Sequence, residues 1–148
     1  MAETQEPSIG WGGAFELSTD ETEGNLVELV QVVSFDLPQV EVDQVETTHL
    51  KSEDRYKEYV DGLADGGTAS ITLNFRPGSD TDEMIDDWEE ARGRRLVRFT
   101  VPLQGVATKT YTCLATFAGY SRGTVSAGEK MEAVLSVKLS GAVTKAAA

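Results

Sequence analysis

Thr47 to Phe75 reads TTHLKSEDRYKEYVDGLADGGTASITLNF, and its two halves carry different periods. In the second half Ala69, Ile71, Leu73 and Phe75 alternate with Ser70, Thr72 and Asn74, the two-residue repeat of a strand with one buried face. In the first half Tyr56, Tyr59, Val60 and Leu63 follow helical spacing, but Gly62 and Gly66-Gly67 cut that pattern short. The stretch therefore predicts a long crossover over residues 47–68, holding one or two helical turns, that feeds an apolar strand.

The segments on either side also alternate. Over residues 27–37, Val27, Leu29, Val33, Phe35 and Leu37 share one face, while Glu28, Ser34 and Asp36 occupy the other. After Pro38, Val40 to Val45 repeats the pattern with Glu41 and Asp43 outward, and the phase slips at Gln44-Val45 as it does at a bulge. Further strands are expected at Leu96–Leu103, Thr110–Tyr120 and Met131–Ser140, with Gly10–Leu17 as a possible N-terminal addition. Gly and Pro punctuate the gaps between them. The fold class is mainly β: an antiparallel β-sandwich or split β-barrel with one flanking α-helix.

That helix is expected over residues 80–92. Ser79 suits the N-cap, acids fill the first turns, bases follow the end, and Gly93 stops it. Met84, Ile85, Trp88 and Ala91 form its apolar face.

A chain of 148 residues is the size of one domain and buries about two thirds of its unfolded surface without metal or disulfide staples. The expected organisation is a single domain with an acidic arm at 1–25, the crossover at 47–68, the helix at 80–92 and a flexible tail at 141–148. Residues 18–25 are expected to be mobile until a partner orders them. Cys113 is the sole cysteine, which fits a buried thiol in a strand and gives no sign of an oxidising compartment. No apolar run approaches the ~18 residues of a membrane helix and the N-terminus lacks a leader pattern, so a soluble protein made in a cytoplasm is expected.

Charge is unevenly spread. Residues 1–90 hold 23 acids and four bases, and residues 91–148 hold two acids and nine bases, within a net charge of −12. Such asymmetry fits a solvated acidic surface, and equally an acidic half of one subunit facing a basic half of another. It disfavours binding of phosphate backbones.

Catalytic patterns are largely absent. His49 is the single histidine, which leaves little for imidazole chemistry. Asp80, Asp82, Glu83, Asp86 and Asp87 lack the glycine and loop form of a calcium site, and a helix would spread them over a solvated face. Arg92, Arg94, Arg95 and Arg98 fit a helix end followed by a strand's outer face. Without a basic domain or interleaved aromatics they do not make a nucleic-acid footprint. There is no phosphate loop and no nucleophile elbow, and nothing asks for a cofactor.

The order of pieces is more specific than any one of them. A strand running into Thr47-Thr48, a basic residue at Lys51, the pair Arg55-Tyr56, the turn Gly62-Leu63-Ala64-Asp65-Gly66 and a strand ending Asn74-Phe75-Arg76-Pro77-Gly78 resemble the tail tube proteins of long-tailed bacteriophages and phage-like particles. The resemblance spans roughly residues 26–140. It implies a structural virion protein and no enzyme: hexameric rings stacked into a tail tube that conducts DNA during ejection. It further implies that the chain is made in the bacterial cytoplasm and ends in the virion tail. The implied partners are the chain itself and tape-measure, tail-tip and tail-terminator proteins, with DNA passing through unbound.

Thr48, His49, Lys51, Arg55, Tyr56 and Tyr59 match the part of the family pattern that reaches the next subunit or ring, although Tyr56 and Tyr59 would equally suit a loop pinned to its own core. Glu28, Asp36, Glu41, Asp43 and Glu46 are the candidate acids of the lumen, where carboxylates would let DNA slide. A tube subunit of a contractile tail, a secretion system or a gene transfer particle would share this fold and hexamer. The readings from other classes are an acidic β-sandwich binding module and a carboxylate-dependent hydrolase. Some members of the family carry an immunoglobulin-like domain after the tube domain, whereas here about eight residues follow the expected last strand.

Overall fold

The computed structural model describes residues 10–51, 55–103 and 105–147. Its strands are β1 (Ala14–Leu17), β2 (Val27–Glu28), β3 (Val32–Phe35), β4 (Glu41–Glu46), β5 (Tyr59–Asp65), β6 (Thr68–Asn74), β7 (Arg94–Leu103), β8 (Val106–Arg122) and β9 (Glu132–Ala147), with helix α1 (Asp80–Ala91) between β6 and β7. Seven strands form one antiparallel sheet in the order β2-β1-β7-β8-β9-β6-β3, and β4 and β5 pair apart from it. The sheet curls into half a barrel, and its inner face and α1 enclose the core.

Alternation makes that core. Val97 and Phe99 of β7, Cys113 and Ala115 of β8, Ala133, Leu135, Val137 and Leu139 of β9, and Ala69, Ile71 and Leu73 of β6 all point inward and are buried. Phe15 lies 5.1 Å from Phe99 and Phe35 lies 5.6 Å from it, centroid to centroid. A strand as long as β8 can follow the curve because its register with β9 shifts twice, between Thr112 and Leu114 and between Phe117 and Gly119. Each bulge sharpens the local twist. Opposite the first of them, Gly141 sits at φ 88°, a conformation that costs a side chain but not a glycine.

The helix starts as its sequence predicts, with the Ser79 hydroxyl accepting the Asp82 N–H at 3.3 Å. It ends where Arg92 and Gly93 take φ 59° and 83°. Its buried face is Thr81, Ile85 and Trp88, with Met84 packed against the core. Ala91 is exposed, because the left-handed exit at Arg92 carries the last turn off the sheet. Trp88 meets Phe117 edge-on at 5.7 Å and donates its indole N–H to the Gly93 carbonyl. A polar clamp fixes the other side: buried Asp82 accepts from Tyr120 O–H at 3.2 Å and from Gly78 N–H, and Arg122 pairs with Asp86 and Glu89. Burial and the neighbouring Asp82 raise the Tyr120 pKa, so the phenol remains a donor.

Four expectations need correction. The 27–37 segment is two strands, not one, because Gln31 takes φ 63° and the β3–β6 register shifts between Val32 and Ser34. Leu29, Val32 and Phe35 thus turn inward, and Val27, Val33 and Leu37 are exposed. In the crossover at 47–68, Arg55 is in a 3-10 turn, residues 52–54 lie outside the described ones, and Tyr59–Asp65 is a strand, whose hydrogen bonds to β4 override the helical spacing of Tyr59, Val60 and Leu63. The tail expected to be flexible from residue 141 is strand as far as Ala147, paired through Lys109↔Ala147, Thr110↔Ala146, Tyr111↔Lys145 and Thr112↔Thr144. Small and polar residues suffice there because the neighbouring strand supplies the hydrogen bonds.

The fourth concerns the arm. Ala14–Leu17 is strand, and residues 18–25 form an ordered loop around Asp20, whose Oδ1 accepts from the Thr22 hydroxyl at 2.7 Å and the Thr22 N–H at 2.8 Å, while Asn25 donates to Oδ2. Residues 1–9 of the arm lie outside the described residues.

Two outcomes follow. Trp88→Ala should lower unfolding free energy by about 3–5 kcal/mol in urea titrations, through lost burial and the cavity left behind. The hydrogen bonds from Thr22 hold the Asp20 carboxyl at about 2, below its ordinary 3.8. A depressed folded-state pKa gives stability that is present above 3.8 and is lost as pH falls through about 2. Thermal melts of Asp20→Asn should therefore lose part of the wild-type decline in that acidic window.

Candidate assembly surface

The β4–β5 hairpin stands outside the core. Every residue of both strands is exposed. Its faces follow from the register. Val42 pairs with Ala64, Gln44 with Asp61 and Glu46 with Tyr59, and these share one side, where the Gln44 amide donates to Asp61 at 3.0 Å. Glu41 pairs with Asp65 and Val45 with Val60, and with Asp43 they share the other side, where a Cβ at Gly62 would stand 3.2 Å from the Asp43 Cβ and 3.3 Å from Val45. The register shift between Val42 and Gln44 places the extra residue in β5, with Gly62 and Leu63 opposite Asp43, so β4 alternates regularly and Val42 and Val45 lie on opposite faces. The result is a ribbon that exposes valine and carboxylate side chains on both faces. Asp65 is held by the Gly67 N–H and by Lys138 at 3.6 Å, which lower its pKa.

The six predicted contact residues lie on the loop at the end of this ribbon and at the start of β5. Thr48 Oγ1 accepts the Glu58 N–H at 2.8 Å, and the Thr47 N–H donates to the Glu58 carbonyl. His49 Nδ1 accepts the Lys51 N–H, and His49 Nε2 lies 3.4 Å from a Glu58 carboxylate oxygen. Arg55 takes φ 64°. Tyr56 and Tyr59 are 74% and 52% exposed, so neither pins the loop to the core. The fold brings these six together on one projection.

It does not bring the five candidate acids together. Glu28 lies on β2, paired with Glu16, and Asp36 follows β3, donating its N–H to Ser70. These are the two ends of the strand order. Glu41, Asp43 and Glu46 are on the hairpin, Glu46 on one face and Glu41 and Asp43 on the other, and the same two faces carry Asp61 and Asp65. Those last two were missed because the crossover's helical spacing hid a strand. The phase slip at Gln44-Val45 marks no bulge in β4 itself, since the extra residue of this pairing is in β5, at Gly62-Leu63.

Part of the charge asymmetry is settled within the chain. Arg94 pairs with Glu21 at 3.0 Å, and Arg98 with Glu16 at 3.2 Å and Glu23 at 3.9 Å. Arg95 is buried, its guanidinium 5.8 Å from the Trp88 ring centre, and desolvation lowers its pKa. Lys109 and Lys145, at the ends of β8 and β9, make no ion pair among the described residues; Lys109 lies 5.1 Å from the Tyr111 ring centre. Cys113 is buried and its thiol pKa is raised by desolvation. Among the described residues no cluster of His, Cys, Asp or Glu could hold a metal, and no helix is long and apolar enough to cross a membrane.

A half-barrel with a detached hairpin and one flanking helix is a shape that can be compared. The sequence model of the lambda phage tail tube protein matches residues 12–146. The chain belongs to that family. A tail tube protein is a component of the virion tail. Among solved structures, it is similar to a chain in the virion of a native gene transfer agent particle, with 12% identity, TM-score 0.71, and 95% of this chain and 99% of that one covered. It is also similar to a chain of the PVC sheath–tube complex of an extracellular contractile injection system, with 9% identity, TM-score 0.71 and coverage of 97% and 94%. A third is the SPP1 tail tube, with 11% identity, TM-score 0.66 and coverage of 96% and 80%. At such identities these likenesses show the fold. No curated protein matches by sequence.

Proposed function

We propose that copies of this tail tube protein close into hexameric rings, that the rings stack into a tube, and that DNA travels through the bore during ejection without specific binding. The role is structural and not enzymatic. The observation that carries the proposal is the hairpin, which contributes nothing to its own core yet keeps a defined register and exposes valines on both faces. A lone two-stranded hairpin is at best marginally stable in water, so an element of this kind makes physical sense once a neighbour covers it. The sheet ends at β2 and β3 supply open edges for the same purpose, and pairing them in a ring removes the aggregation hazard of a free edge.

In this arrangement Thr48, His49, Lys51, Arg55, Tyr56 and Tyr59 reach the next subunit or ring, with Arg55 and the two tyrosines as anchors, residue types enriched at interface hot spots. Glu28, Asp36, Glu41, Asp43 and Glu46 are exposed and serve as the carboxylates that keep the bore from holding DNA, which carries about one negative charge per 1.7 Å. Tape-measure, tail-tip and tail-terminator proteins are the partners that such a tube requires. The same subunit design would serve a contractile tail or a gene transfer particle.

Negative-stain microscopy of the purified protein across concentration and salt should show rings or tubes. Arg55→Ala combined with Tyr59→Ala should leave the melting temperature within a few degrees of wild type and yield monomers that do not elongate. Normal tubes from that variant would remove those residues from the contact, and a wild-type protein that stays monomeric at every concentration would contradict the tube itself.

A further inference from the structure

Helix α1 is fixed unevenly along its length. At its start the Ser79 hydroxyl accepts the Asp82 N–H, the Val30 N–H donates to the Thr81 hydroxyl at 3.2 Å, and Tyr120 donates to the buried Asp82. Its end is under strain. Arg92 takes φ 59° and ψ −159°, a region almost confined to glycine, in which any other residue is held only by its surroundings. Gly93 follows at φ 83°, so the chain leaves the helix through two left-handed residues in succession, and only the second is suited to it.

Beneath this joint lies a charge without a partner. Arg95 begins the inward row that Val97 and Phe99 continue along β7, and only 8% of it is exposed. Among the described residues its guanidinium makes no hydrogen bond and no ion pair; its neighbours are the Trp88 ring centre at 5.8 Å and the charge of Asp87, an exposed residue of α1. Burying a charge without pairing it is unfavourable. Room to move lies next to the joint, in a cavity of about 400 Å³ lined by Glu89, Arg92, Gly93, Thr116, Phe117 and Ala118. Two bonds keep the joint shut, and both converge on Trp88: its indole N–H donates to the Gly93 carbonyl at 3.0 Å, and its carbonyl accepts the Arg92 N–H at 2.7 Å.

We infer that Trp88 to Arg95 is a sprung latch, closed in this structure by Trp88 and driven toward an open form by the backbone strain at Arg92 and the unpaired guanidinium of Arg95. In the open form the indole lets go of the Gly93 carbonyl, Arg92 relaxes out of its left-handed geometry, and Arg95 gains water and Asp87. The start of α1 and the sheet stay as they are. Opening brings the Arg95 guanidinium to the surface beside Arg92, so the charge that this joint presents depends on the state of the latch. Opposed contributions of this kind make two populated forms out of one short segment. The latch belongs to the single subunit and stands or falls apart from the tube.

Hydrogen exchange followed by NMR tests it, in a Trp11→Phe protein whose one remaining indole is that of Trp88. Trp88 is fully buried, so its indole N–H exchanges only through an opening. In the folded subunit that N–H should exchange at least about tenfold faster than the Leu135 and Val137 amides, because the joint opens while the sheet stays paired. Arg92→Gly removes the strain and Arg95→Met removes the trapped charge. Each should slow the indole exchange severalfold and raise the melting temperature by about 2–4 °C. A helix end that merely frays responds the other way, since glycine loosens an ordinary chain.

An indole as protected as Val137 in the wild-type background would overturn the latch. So would an Arg92→Gly protein that exchanges as fast as its parent or faster, and so would a folded Arg95→Met protein that does the same. Arg92→Gly changes no core side chain, and it decides the case alone should Arg95→Met fail to fold.

Discussion

The antiparallel pairing of β8 with β9 is the constraint on which the remaining structure depends. These strands supply the central rows of the core, Cys113, Ala115, Leu135 and Val137 among them, and carry β7 on one flank and β6 on the other. Their two register shifts bend the sheet so that its inner face wraps Phe99, Phe15 and Phe35 instead of lying flat. Helix α1 lies against that curve through Ile85 and Trp88. The Tyr120–Asp82 hydrogen bond and the Arg122 ion pairs then fix its position. An aromatic wedge and a polar clamp act on the same helix from different sides, so its orientation does not depend on apolar contact alone.

With the core closed by seven strands, the hairpin is left outside. Its strands are as well registered as those of the sheet, yet among the described residues nothing covers them. A domain selected only for its own stability would gain by trimming such an element or by making both its faces polar. Keeping Val42, Val45 and Val60 exposed on its two faces is the pattern of a surface meant to be covered by something else. Membership of the lambda tail tube family supplies a context in which such an element belongs, because a tube is made of copies of one chain.

The electrostatics separate into internal and external parts. Acids of the N-terminal arm, Glu16, Glu21 and Glu23, are matched by Arg94 and Arg98 within the same chain. At moderate exposure such pairs contribute little to stability, but they remove the most basic segment from the surface offered to DNA. What remains outward is acidic on the hairpin and weakly basic at the ends of β8 and β9. This is a smaller imbalance than the sequence totals imply.

How much of this was legible in the sequence depended on the range of the interaction. The helix was readable because capping by Ser79, the dipole-matched acids and the stop at Gly93 act within a few residues of chain. The β6, β8 and β9 core faces were readable because alternation is a local consequence of strand geometry. The family resemblance around the crossover and the position of the six loop residues on one segment were likewise fixed by order along the chain. The strand Tyr59–Asp65 was not readable, since its aromatics fall at helical spacing and its identity comes from hydrogen bonds to β4. The C-terminal strand was hidden for the same reason: Ala and Thr carry no periodic signal, and β8 decides the matter. The kink at Gln31 reversed which valines of that segment point inward, a choice made by Phe35 finding Phe99. Composition and local period determined the fold class and the helix; pairing between distant segments decided which face of each ribbon is left without a partner.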